Sequence, residues 1–190
     1  MESDIELMLR TKAGDDGAFS ELMNRHYKGV LNYIYRFTNL RENSEDLAQE
    51  VFLRVYRSAS KYRPEAKFTT WLYKIATNVS LTYVKKKNTN ISLDEMTENI
   101  GEYEDSDVDI SDDIIYRKEM KNVIFSAMET LPEREKIAIM LCKYEGLSYE
   151  ETADVLECTV GAVKAYVHRG RMKLVDKLKP YLMEEGKYGM

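Results

Sequence analysis

The sequence predicts an all-α chain, two small helical domains joined by an acidic flexible linker, the second containing a helix-turn-helix. Three observations predict it. Apolar residues recur at intervals of three and four on both sides of a middle segment, and only 3 of the 190 residues are proline. Charge is partitioned along the chain: residues 1–87 carry net +4, residues 88–113 net −10 without one lysine or arginine, and residues 114–190 net +1, within an overall −5. Two helix starts follow closely in LSYEETADVLECTVGAVKAYVHRGRMKLVDKL, residues 147–178.

In chain order, Ile5 to Thr11 is amphipathic and predicts a first helix, which the glycines and aspartates of 12–17 end. From Ala18 to Phe37, Phe19, Leu22, Met23, Tyr27, Val30, Leu31, Ile34 and Phe37 keep helical spacing and predict a long helix with an aromatic-rich stripe. Asn39 to Asn43 turns the chain. A third helix, Ser44 to about Ala59, turns Leu47, Val51, Phe52, Val55 and Tyr56 inward. Asp46, Gln49, Glu50, Leu53 and Arg57 occupy its other side, where Leu53 is an apolar knob among polar groups. That side is open to two readings, a docking face or ordinary solvated acids.

Pro64 interrupts helix at the residue before it. Phe68 to Lys87 then predicts a helix capped by Thr69 or Thr70, with Leu72, Ile75, Ala76, Val79 and Tyr83 as its stripe. Trp71, Lys74, Asn78, Tyr83, Lys85, Lys86 and Lys87 bring aromatic, amide and cationic groups together; such a mixture can stack bases, bond base edges and contact phosphates. For Trp71 taken alone, a place in the core is the commoner role and a base platform the alternative. Residues 88–113 predict a hydrated linker, with a turn near Ile91 to Met96 whose apolar residues could pack.

The second domain, 114–184, begins with a helix from Ile115 to Met128, and Leu131-Pro132-Glu133 opens the next, which runs to Gly146 on Ile137, Met140, Leu141 and Tyr144. Gly146 is placed to end that helix in the left-handed conformation. Ser148 with Glu151 forms a capping box, and Thr159 can cap a second helix after a turn of three or four residues. That second helix is the one a helix-turn-helix lays in the major groove. Val163, Val167, Gly170, Leu174 and Leu178 form its core side; Lys164, Ala165, His168, Arg169 and Arg171 point away. Thr159 to Pro180 carries net +5 in this acidic chain, so the face reads as a nucleic-acid contact or as a solvated basic helix. Residues 185–190 form a polar tail.

Composition narrows the function. Hydrophobic residues at 44% suffice for two cores, and overall acidity argues against a nonspecific nucleic-acid coat. No apolar run approaches the roughly 18 residues that span a bilayer, and MESDIELMLR has no basic leader, so the expected place is the cytoplasm without direct membrane insertion. Cys142 and Cys158 lack a second pair or a histidine cluster, which leaves no expected metal or cofactor. Neither a nucleophile–base pair nor a phosphate loop points to an enzyme.

EDLAQEVFLRVY, then FTTWLYKIATN, then LPEREKIAIMLCKYEGLSYEETADVLECTVGAVKAYVHRGRMKL resembles, in this order and spacing, the bacterial RNA polymerase sigma factors of the extracytoplasmic-function (ECF) group, which hold only region 2 and region 4 domains. The likeness covers roughly 18–87 and 114–178. It implies a subunit that binds core RNA polymerase, recognises promoter DNA and helps open it. By motif position it implies core-polymerase binding by Asp46, Gln49, Glu50, Leu53 and Arg57. Near the −10 element it implies Tyr62, Arg63, Lys67, Phe68 and Trp71, with Asn78 as the main polar base contact and Tyr83, Lys85, Lys86 and Lys87 toward the backbone. Near the −35 element it implies Lys164, Ala165, His168 and Arg169 as readers, with Thr159 and Arg171 on phosphate. An anti-sigma factor, often membrane-linked in this group, is the further expected partner. Gly170 departs from the alanine common there, and as an interior glycine should cost about 0.5 to 1 kcal/mol relative to alanine. The alternative reading is a helix-turn-helix regulator acting outside the polymerase holoenzyme, which leaves EDLAQEVFLRVY without a task.

Overall fold

The computed structural model describes residues 2–40, 42–91 and 112–184, and every regular element among them is helical. The chain forms two compact units. The first holds α1 (Asp4–Lys12), α2 (Asp16–Thr38), α3 (Ser44–Arg57), a 3₁₀ turn (Ala59–Lys61) and α4 (Phe68–Ile91). The second is built from α5 (Asp112–Glu129), α6 (Glu133–Ile139) with a π turn (Met140–Tyr144), most of α7 (Tyr149–Leu156), and α8 (Val160–Glu184).

Local chemistry sets the helix ends of the first unit. Ser3 and Glu6 form a capping box on α1, the Ser3 amide reaching Glu6 Oε2 at 2.7 Å. Asp15 Oδ1 accepts from the Ala18 amide at 3.1 Å and starts α2; Asn39 ends it at φ 55°. Leu22, Val30, Tyr33 and Ile34 of α2 are fully buried, as are Val51, Val55, Leu72 and Ala76 of α3 and α4, the helices packed on it. Tyr33, absent from the predicted stripe, donates or accepts a 2.7 Å bond with Thr77 in that core.

Three expectations for this unit need correction. Tyr56 is 43% exposed, its ring edge-on to Phe19 and its hydroxyl donating to Asp16 at 2.8 Å, because the polar hydroxyl is satisfied at the start of α2 rather than in the core. Neither Thr69 nor Thr70 caps α4: the helix starts at Phe68, and the Trp71 amide donates to the Lys67 carbonyl at 3.3 Å. Finally, α4 continues to Ile91, four residues past the expected end. Most of the predicted linker, including the turn at 92–96, and the tail lie outside the described residues.

In the second unit, α6 is buried nearly all round: Ile137, Ala138, Met140 and Leu141 are at most 1% exposed. The helix ends in a π turn, and Tyr144, expected in the stripe, is 47% exposed. Gly146 stops the run at φ +70°, as its position predicted.

Candidate nucleic-acid interface

The helix-turn-helix is capped as its residues dictate. Glu151 accepts from the Ser148 amide at 2.7 Å and Ser148 accepts from the Glu151 amide at 3.1 Å, closing the predicted box on α7. Glu157 takes the left-handed conformation, φ 50°, in the turn. Thr159 Oγ1 then accepts from the Ala162 amide at 3.2 Å and opens α8. Val163 and Val167 are buried, Gly170 is buried, and Leu174 and Leu178 are half-buried, so the core side of α8 fades toward its C-terminal half. Lys164, His168, Arg169 and Arg171 are exposed and Ala165 half-buried. The structure thus leaves all the predicted basic positions exposed along one helix, Arg169 on the flank that meets α6.

At Gly170, α8 packs tightly on α6. A Cβ there would lie 2.5 Å from Ile139 Cδ1 and 3.5 Å from Glu135 Cβ. Glu135 is buried, yet both its carboxylate oxygens are engaged: Arg169 Nε donates at 2.9 Å and Lys173 Nζ at 2.8 Å. Burial alone would raise this carboxyl; the hydrogen bonds and charges of Lys173 and Arg169 outweigh it and hold the group below its usual value. The Arg169 guanidinium also lies 5.3 Å from the Tyr166 ring centroid. Glu135, Tyr166 and Lys173 were not among the predicted site residues. No sequence signal singled out Glu135, which stands between Arg134 and Lys136 in the charged first turn of α6.

In the first unit, α3 presents Asp46, Gln49, Leu53 and Arg57 exposed and Glu50 half-buried. Leu53 is 42% exposed, an apolar side chain with no place in the local core. Glu50 pairs with Arg54 at 2.6 Å, one turn on, which holds its carboxylate on that face.

The loop before α4 divides into two layers. Tyr62 and Phe68 are 1% exposed, so the structure places these two predicted base contacts in the core beneath the loop. With half-buried Trp71 they make an aromatic cluster, centroids 5.2 Å apart for Tyr62–Trp71 and 6.2 Å for Phe68–Trp71. His26 lies 5.3 Å from Phe68 and bonds Asp4 at 2.7 Å, and Lys12 Nζ donates to the Tyr62 carbonyl at 3.0 Å; α1 and α2 therefore brace the loop. Arg63 and Lys67 are exposed above it, Asn78 is exposed nearly three turns into α4, Tyr83 is half-buried, and Lys85, Lys86 and Lys87 are exposed beyond. Among the described residues, no group of three or more His, Cys, Asp or Glu is placed to hold a metal ion, and no helix is long and apolar enough to cross a membrane.

Comparison with known proteins follows the same division. Residues 22–89 match the sigma-70 region 2 family and residues 121–174 the sigma-70 region 4 family. The ECF RNA polymerase sigma-E factor of Haemophilus influenzae is 32% identical over 185 residues, covering 95% of this chain and 97% of that protein. CnrH, solved in complex with the cytosolic domain of CnrY, has the same fold: TM-score 0.71 at 22% identity, over 94% of this chain and 99% of CnrH. The sigma factor RpoE of Bartonella quintana, solved with the anti-sigma factor NepR, aligns with TM-score 0.67 at 19% identity over 85% of this chain and 96% of that one. With both sigma regions present in order and a relative matched nearly end to end, the chain belongs to the ECF group of RNA polymerase sigma factors.

Proposed function

We propose that this chain binds core RNA polymerase and directs it to promoters with paired −10 and −35 elements. The observation that carries the reading is that one chain holds both matched regions. A regulator acting alone would need α8, but not an α3 that leaves Leu53 in solvent among acids. In this reading Asp46, Gln49, Glu50, Leu53 and Arg57 dock the polymerase. Arg63, Lys67, Asn78 and the lysines 85–87 meet the opened −10 strand, with Tyr62, Phe68 and Trp71 shaping the loop and Tyr83 beside it. Lys164, Ala165, His168 and Arg169 meet the −35 duplex, and Thr159 and Arg171 its phosphates.

Physical chemistry suits that division. An α-helix N-terminus attracts phosphate, as at Thr159. A base drawn out of the stack costs a few kcal/mol of unstacking, which polymerase contacts can offset. Two weak DNA contacts held on one polymerase cooperate through effective concentration. The chain supplies recognition, and nucleotidyl transfer stays with the polymerase; its place is the cytoplasm, where that enzyme works. An anti-sigma factor, soluble or membrane-linked, is the other protein partner, because solved proteins of this fold include one bound to such a factor.

Reconstituted run-off transcription with bacterial core polymerase on a genomic fragment library, followed by sequencing of RNA starts, tests the reading. Defined starts preceded by paired elements are expected. A folded chain that binds DNA yet yields no starts with active core would transfer the reading to the independent regulator.

A further inference from the structure

Arg169 does not share the outward face of Lys164 and His168. At 100° per residue along α8 it falls on the flank with Tyr166 and Lys173, toward α6. There Glu135 takes Arg169 Nε at 2.9 Å and Lys173 Nζ at 2.8 Å. Among the described residues neither terminal nitrogen of Arg169 donates to a partner, and the two cations remain about half exposed, at 52% and 46%, while the Glu135 side chain is 6% exposed. One buried anion thus fixes two long cations one turn apart, and a net positive charge remains facing solvent. The outer edge of the guanidinium is left as a two-donor fork, a geometry that fits phosphate oxygens. Gly170 makes the arrangement accessible: without a Cβ it lets α8 approach α6 at Glu135 and Ile139, between the two cations in sequence.

We propose that Glu135 is a positioning residue that holds Arg169 and Lys173 as a clamp on a DNA backbone phosphate beside the −35 element. This rests on the sigma reading above, and it moves Arg169 from base reading to backbone contact. The physical logic is preorganisation: two flexible side chains are ordered before DNA arrives, so less entropy is lost on binding.

The clamp predicts an effect opposite in sign to simple charge. Removing a carboxylate near DNA should by itself tighten binding, since polyanion repulsion falls. Removing a positioning carboxylate should weaken it. The test uses holoenzyme reconstituted with the full chain, and fluorescent promoter DNA titrated over a salt series, for wild type, Glu135→Gln, Arg169→Gln and the double variant, each also followed by thermal unfolding. Expected for Glu135→Gln is a loss of affinity of roughly tenfold, the same whichever bases occupy the −35 element, with the log–log salt slope shallower by about 1. Arg169→Gln should lose a similar amount, and the double variant little more than either alone.

Unchanged or tighter binding by Glu135→Gln with an unchanged slope, even at a lower melting temperature, would reduce Glu135 to a strap between α6 and α8 and overturn the proposal. A loss confined to one −35 sequence would also overturn it, in favour of base reading. Wild-type holoenzyme that starts transcription normally separates either result from a failure of the sigma reading, which would show instead as no promoter-dependent starts at all.

Discussion

Asn78 is an exposed amide on α4, flanked by the buried Thr77 and Val79, so its backbone is held by the core while its side chain is free to bond a base edge. Asn78→Ala is therefore expected to leave folding and core binding intact and to slow promoter opening about tenfold, the scale of one or two lost polar base contacts. Permanganate reactivity of melted thymines reports opening, and unchanged reactivity would remove Asn78 from the site. Glu135 gives a pH prediction. Its folded-state carboxyl is held below the ordinary value of 4.5, so its contribution is fully present above about pH 4.5 and is lost as pH falls through the depressed folded value. Acid unfolding of Glu135→Gln should accordingly begin at the same or higher pH than wild type, with a flatter dependence below pH 4.5, read by circular dichroism. Both residues show the limits of sequence reading at this scale. Asn78 was legible through its motif, whereas Glu135 became visible only through the two cations that reach it from α8.

At the scale of elements, α3 and the α6–α8 pair carry opposite lessons. The helical period of α3 located Val51, Phe52 and Val55 of its buried stripe, though not Tyr56, and its knob: Leu53 is 42% exposed. Because nothing local packs on it, Leu53→Asp should fold normally and weaken association with core polymerase at least tenfold, the cost of placing an unpaired charge in an apolar contact. Co-elution with core on a sizing column checks this, and normal co-elution would contradict the docking role. For α8, the sequence pattern identified Gly170 as a weak spot that alanine should improve. The packing says otherwise: a Cβ would come 2.5 Å from Ile139 Cδ1, and Ile139 is 4% exposed with little room to move. Overpacking then outweighs the helix-propensity gain, and Gly170→Ala should lower stability by about 1 kcal/mol, seen as a lower urea midpoint.

For the whole molecule, the sharpest sequence feature is the stretch 88–113, with ten acids and no basic residue between two segments of net +4 and +1. Such a stretch repels DNA and can keep basic surfaces from occluding one another. Neutralising it at fixed length should therefore change the salt dependence of promoter binding by the holoenzyme; an unchanged slope would leave the linker only its length as a role. The fold class, eight helices among the described residues and the caps at Ser148 and Thr159 were all legible, because period and capping are local properties of the chain.

The sequence by itself determined which segments are helical, where α7 and α8 begin, that positive charge gathers on α8, and through its motifs the family. Tertiary structure decided what depends on neighbours distant in sequence. It sent Tyr62 and Phe68 into the core, drew Tyr56 to Asp16, and turned Gly170 from a flaw into a contact. It also brought Glu135 to Arg169 and Lys173, across 34 and 38 residues of chain. Helical period fixes a side chain's direction on its own helix, whereas burial and pairing depend on which helix packs there, and that emerges only once the core is assembled.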